Sequence, residues 1–133
     1  MLKILLVEDE PTVQKLFKQV LEMQNFAVDT ASSARDGISA LQSDSFDIVI
    51  SDLRMETPFA GYDVVKAAHQ SPSRPLIALV TAYPIPSSDW KRAGADALFI
   101  KGSSDAVNLG REIQRLWNQH CPLAGDVAIE KRA

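Results

Sequence analysis

A chain of 133 residues with a formal charge of −3, 46% hydrophobic residues and one cysteine fits a single domain with an ordinary core. The acidic balance leaves no footprint for nucleic acid, Cys121 has no partner for a disulfide or a soft-metal cage, and no apolar run is long enough for a membrane span. The amino terminus turns acidic at Glu8-Asp9-Glu10, too soon for a secretory signal, so a reducing, cytoplasmic setting is expected.

Lys3 to Val7 reads as a first strand, and Pro11 suits the first turn of a helix whose Val13, Leu16, Phe17, Val20 and Leu21 recur at helical spacing as one apolar face. Asn25 ends that helix. Phe26 to Ala31 reads as a second strand, and Ser32 or Ser33 can cap a helix with Ala34, Ile38 and Leu41 inward. Phe46 to Ser51 is the third strand, and a loop from Leu53 to Ala60 leads to a helix from about Gly61 to Gln70.

Pro72 and Pro75 break the chain before the strand Leu76 to Val80. A short helix near Ser88 to Ala93 ends at Gly94, Ala97 to Ile100 is the fifth strand, and Ser103 or Ser104 can cap a last helix with Leu109, Ile113, Leu116 and Trp117 inward. Gly110 inside that helix costs about 1 kcal/mol against alanine. Residues 1–121 form the domain and 122–133 a polar tail. Five alternations of strand and helix, with strands apolar enough to be covered on both faces, predict an α/β fold: one doubly wound parallel sheet with helices on both sides.

The decisive polar residues fall at the carboxyl ends of these strands. Glu8 and Asp9 follow the first, Asp52 the third, Thr81 the fourth and Lys101 the fifth. In a parallel sheet those ends open on one rim, where open α/β sheets bind ligands. Clustered carboxylates repel one another and shift one another's pKa values, which a hard divalent cation relieves, and oxygen ligands suit Mg²⁺. A hydroxyl and an ammonium nearby are what a phosphoryl group needs for its remaining oxygens. Taken singly, each residue has a plainer reading. Asp52 could cap a helix, Glu8 to Glu10 could favour a helix dipole, Thr81 is a good strand residue, and Lys101 could reach from the sheet edge to solvent. His69 and His120 read as isolated, exposed helix-end residues.

Leu5-Leu6-Val7-Glu8-Asp9-Glu10, Ser51-Asp52-Leu53-Arg54-Met55, Val80-Thr81-Ala82-Tyr83, and Gly94-Ala95-Asp96 running to Lys101 together resemble the receiver domain of bacterial two-component response regulators, over residues 2 to 120. The resemblance implies a five-stranded sheet in the order 2-1-3-4-5. It implies that Asp52 accepts a phosphoryl group from the phosphohistidine of a sensor histidine kinase or phosphotransfer protein. Glu8, Asp9, Asp52 and the backbone carbonyl of Arg54 would hold Mg²⁺. Thr81 would donate to the phosphoryl oxygens, and Lys101 would pair with Asp52 when empty. A changed surface would then meet a downstream protein partner. The activity is that of a signalling domain with residual self-phosphorylation and self-dephosphorylation, not of an enzyme in the usual sense.

The chain departs from the family pattern in four places. Gly102 stands where a cis proline is usual, Met55 to Gly61 lacks a Met-Pro step and is one residue longer, and Thr81 to Gly94 is shorter, which reduces the fourth helix to a turn or two. Leu98 takes the place of the switching aromatic, with Phe99 on the inward-facing parity. Two other functions compete. One is a receiver-like docking module that is never phosphorylated, and the other is a metal-dependent phosphatase with an aspartyl-phosphate intermediate. Retention of the whole acceptor set opposes the first. Against the second, the acids after the first strand are adjacent, not two residues apart.

Overall fold

The computed structural model describes residues 1–101 and 106–120. The tail 122–133, Cys121, Gly102 and the candidate caps Ser103 and Ser104 lie outside the described residues. The elements run β1 (Lys3–Val7), α1 (Pro11–Met23), β2 (Ala27–Ala31), α2 (Ala34–Ser43), β3 (Ile48–Asp52), α3 (Ala60–Gln70), β4 (Leu76–Thr81), α4 (Ser87–Ala93), β5 (Ala97–Ile100) and α5 (Ala106–His120). All strand pairs are parallel, in the order β2-β1-β3-β4-β5.

Successive strand residues point to opposite faces, and the two apolar cores separate on that parity. Leu5, Val7, Val49, Ile77 and Leu79 pack with Leu41 of α2 and Val64, Val65 and Ala68 of α3. On the other face Ile4, Leu6, Ile48, Ile50, Ala78 and Val80 meet Leu21 of α1 and Leu109 and Ile113 of α5. Burying a leucine or isoleucine contributes about 1.5–3 kcal/mol, so both layers hold the sheet, and with it the rim, in place. Among the described residues no helix is long and apolar enough to cross a membrane.

The element ends show where local chemistry decides. Pro11 opens α1, where its missing N–H removes no helical bond, and Asn25 beyond the helix end takes φ 71°, a left-handed conformation that asparagine tolerates. Of the two candidate serines Ser33 caps α2, its hydroxyl accepting the Asp36 N–H at 3.0 Å. Phe26 does not join β2, because its N–H is spent on the Leu21 carbonyl at 3.2 Å in the turn that ends α1. At the third strand, Phe46 precedes the ladder and Asp52 belongs to it, paired with Val80.

Leu16 was expected on the inward face of α1 and is instead 53% exposed. The buried side of α1 is centred on Phe17 and Leu21, which leaves Leu16 at the edge of the stripe. The shortened fourth helix is seven residues long. At Gly110 a Cβ would meet the end of the Gln24 side chain, 1.8 Å from Oε1, where the Gln24 amide nitrogen donates to the Val107 carbonyl at 3.1 Å.

Candidate acidic phosphoacceptor site

The end of β1 delivers Glu8 and Asp9, and the Gln14 side chain steadies their turn. Gln14, one turn into α1, donates to the Glu8 carbonyl at 2.9 Å and to the Ala31 carbonyl at 3.2 Å, tying the ends of β1 and β2 together. No motif announces Gln14, since glutamine on an exposed helical face is ordinary.

Glu8 is buried at 4% exposure and Asp52 at 7%, while Asp9 is exposed. One carboxylate oxygen from each of the three lies within 4.8 Å of the others. Burial raises the pKa of Glu8, and the charge of Asp52 adds to the rise, against the opposing Glu10 amide and Lys101 ammonium. The Glu10 N–H donates to Glu8 Oε2 at 3.1 Å. Lys101 answers the charge from the end of β5. Its Nζ stands 3.0 Å from Glu8 Oε1 and 3.1 Å from Asp52 Oδ2. Burial alone would lower the Lys101 pKa, but the two carboxylates outweigh it and the net shift is upward.

Thr81 is buried at the end of β4, and its hydroxyl oxygen accepts the Tyr83 N–H at 3.3 Å, which leaves the hydroxyl proton free to point toward an incoming oxygen. Asp52, Thr81 and Lys101 share a cavity of about 310 Å³ whose other walls include Arg54, Pro58, Phe59, Tyr83 and Ile85. Arg54 is exposed and lines the same cavity. The structure therefore brings together the residues that the sequence spacing singled out.

His69 and His120 are exposed as expected, but they are not isolated. Both line one cleft of about 180 Å³ with Arg74 and Asp96, at the amino ends of β4 and β5 and away from the acid cluster. That the ends of two helices covering opposite faces reach one cleft at the sheet edge is a tertiary event that sequence distance conceals.

The loop after Asp52 is held closely at its far end. A Cβ on Gly61 would lie 2.4 Å from the Asp52 carbonyl oxygen and 2.7 Å from Leu53 Cα, so only glycine lets α3 start against the end of β3. Its N–H donates to the Leu53 carbonyl at 2.8 Å. The loop turns around Thr57, whose carbonyl accepts the Met55 N–H at 3.1 Å and the Ala60 N–H at 3.3 Å.

A doubly wound 2-1-3-4-5 sheet with three carboxylates, a threonine and a lysine on one rim is the architecture of receiver domains. The response regulator receiver domain family matches residues 4–107, and the chain belongs to that family. Among curated proteins it is 24% identical over 119 residues to the gliding motility regulatory protein of Myxococcus xanthus, covering 86% of this chain and 15% of that protein. It is 33% identical over 85 residues to the transcriptional regulatory protein GlrR of Escherichia coli, covering 64% and 19%. The chain thus spans less than a fifth of the length of these two relatives.

Among solved structures, the CheY-like receiver domain protein of Methanospirillum hungatei superposes with a TM-score of 0.83 at 22% identity, covering 94% of this chain and 99% of that one. TrrA of Thermotoga maritima, solved in complex with Mg²⁺ and BeF, gives a TM-score of 0.76 at 28% identity, covering 87% and 99%. The chain is a response regulator receiver domain, and its acidic cluster offers the oxygen ligands that suit Mg²⁺.

Proposed function

We propose that Asp52 is the phosphoacceptor and that the receiver unit extends over residues 1–121 in the cytoplasm, with 122–133 as an appended tail. The observation that carries this reading is the Lys101 ammonium held between Glu8 and Asp52. It supports an anionic site built to receive still more negative charge.

In the reaction, a carboxylate oxygen of Asp52 attacks the phosphorus of a kinase's phosphohistidine. The P–O bond forms as the P–N bond breaks, and the imidazole keeps the electron pair and takes a proton. Glu8, Asp9, Asp52 and the Arg54 carbonyl would hold Mg²⁺, whose oxygen preference fits the three carboxylates within 4.8 Å of one another. When bound, the ion supplies the positive charge that lets the phosphoryl oxygens approach the acids. Lys101, between Glu8 and Asp52, would neutralise part of the same charge, and the Thr81 hydroxyl would donate to a phosphoryl oxygen. Both act as fixed electrostatic partners, the largest usual contribution to such transfers. Transfer from a kinase, with a change in the surface offered to a downstream protein, is the role this chemistry serves.

The test is intact-protein mass measurement after incubation with a small acyl phosphate and Mg²⁺. One phosphoryl group should be gained by the wild-type protein and none by Asp52→Asn. Equal labelling of the two would move the acceptor elsewhere.

A further inference from the structure

The loop between β3 and α3 carries Arg54, and its ends are secured by backbone: the Leu53 N–H donates to the Val80 carbonyl at 2.9 Å, and the Gly61 N–H closes onto Leu53. Between those points a third attachment reaches a different helix. Glu56 lays its carboxylate across the amino end of α2, Oε1 accepting the Ala34 N–H at 2.9 Å and Oε2 accepting the Arg35 N–H at 3.2 Å. These are first-turn amides with no partner inside the helix, and the positive end of the helix dipole favours a carboxylate there.

The same helix already has its own cap in Ser33, which serves a different amide, that of Asp36. Glu56 is therefore not the residue that starts α2, and its main effect falls on the loop from which it extends. Glu56 stands two positions after Arg54, a reach of at most about 7 Å, so a fixed Glu56 confines the Arg54 carbonyl. Ordering backbone costs about 1–2 kcal/mol per residue, a cost that metal binding would otherwise have to meet.

We propose that Glu56 is a positioning residue for the divalent cation: by clamping the β3–α3 loop onto the amino end of α2, it presets the Arg54 carbonyl beside Glu8, Asp9 and Asp52. The proposal rests on the assignment of the Arg54 carbonyl as a metal ligand. In this loop the chain turns at Thr57 while Glu56 reaches sideways to α2.

The experiment is calorimetric titration of the full chain with Mg²⁺, comparing wild type, Glu56→Ala, Glu56→Gln and Ser33→Ala, with urea unfolding of each. Loss of a group that orients a metal ligand typically weakens affinity by about 10–100-fold, so Glu56→Ala should raise the Mg²⁺ Kd by roughly tenfold. Glu56→Gln, which keeps one acceptor oxygen, should raise it less. Ser33→Ala should lower the unfolding midpoint and leave the Kd in place. Saturating Mg²⁺ should restore the acyl-phosphate labelling rate of Glu56→Ala, because the acceptor and its partners are untouched. A wild-type Kd in Glu56→Ala overturns the proposal, as does a Ser33→Ala shift of equal size, which would assign the effect to helix stability, or a wild-type protein that binds no Mg²⁺. If Glu56→Ala does not fold, an unchanged Kd in Glu56→Gln overturns it instead. Labelling is scored separately: an unlabelled wild type removes the phosphoacceptor reading, whereas a labelled wild type with unshifted Mg²⁺ binding in the variants removes only the clamp.

Discussion

Lys101 Nζ lies 3.0 Å from Glu8 Oε1, joining the end of β5 to the end of β1 across the two strands that separate them in the sheet. Glu8 is buried and Lys101 is partly exposed, so the contact matters more to the acid than to the lysine. In Lys101→Met, Glu8 and Asp52 would face each other without their cation. Leaving a buried charged group without its partner costs roughly 1–3 kcal/mol, and the urea midpoint measured without metal should fall accordingly. Mg²⁺ should narrow the gap to wild type by restoring positive charge between the acids. Equal midpoints in metal-free buffer would show that the lysine compensates nothing.

Asp9 is exposed while its neighbours in the acid cluster are buried, so it can be neutralised with little effect on the fold. Asp9→Asn should weaken Mg²⁺ binding at least about tenfold, equivalent to about 1.4 kcal/mol, because it deletes one of three carboxylates. Calorimetry on the variant gives the answer directly. Unchanged affinity would place the ion outside the Glu8–Asp9–Asp52 cluster.

Leu98 is half-buried and packs against the core on the α3 and α4 side, whereas Phe99 packs on the α1 and α5 side. Leucine has no polar handle comparable to that of tyrosine, so coupling from Thr81 outward should run through backbone movement. A phosphoryl mimic shifts the population only as far as its contacts differ between two states. With beryllium fluoride and Mg²⁺, amide shifts should concentrate at residues 54–61 and 82–88 and spread less into Leu98 and α5. The largest changes at Leu98 and along α5 would point to an output face that works without the aromatic.

Lys3 links β1 to the end of α2 through an ion pair with Asp44. The Lys3 hydrogen bond, then the Ser45 amide, hold the Asp44 carboxyl below its ordinary range. A lowered pKa in the folded state means that Asp44 stabilises the protein above the unfolded value of about 3.9 and loses that contribution as pH falls through the folded value. Asp44→Asn should therefore melt slightly below wild type near neutral pH, and the two should converge in strong acid. Asp44 is exposed and Lys3 is only half-buried, so salt should shrink the difference. A difference that persists unchanged at low pH would assign it to the helix cap, not to charge.

Much of the site was legible in sequence because parallel strands send their carboxyl ends to one rim, so Glu8, Asp9, Asp52, Thr81 and Lys101 could be grouped from position alone. The same alternation of apolar runs announced the sheet and its covering helices. Element ends were legible wherever a local group settles them, as Pro11 and Gly94 do, whereas the choice of Ser33 over Ser32 needed the structure. Phe26 and Leu16 were misplaced because each had a plausible local pattern that packing overrode: one spends its amide in a turn, and the other sits at the margin of a helical face whose orientation the core sets.

What only the tertiary structure decided are the contacts between residues far apart in sequence with no periodic mark. Glu56 finds the amides of Ala34 and Arg35, Gln14 spans the ends of two strands, and His69 and His120 meet at one cleft. Hydrophobic periodicity specifies which face of an element is buried. Which lone polar side chain meets which backbone group depends on how those faces, once buried, bring separate loops and helix ends within hydrogen-bonding distance.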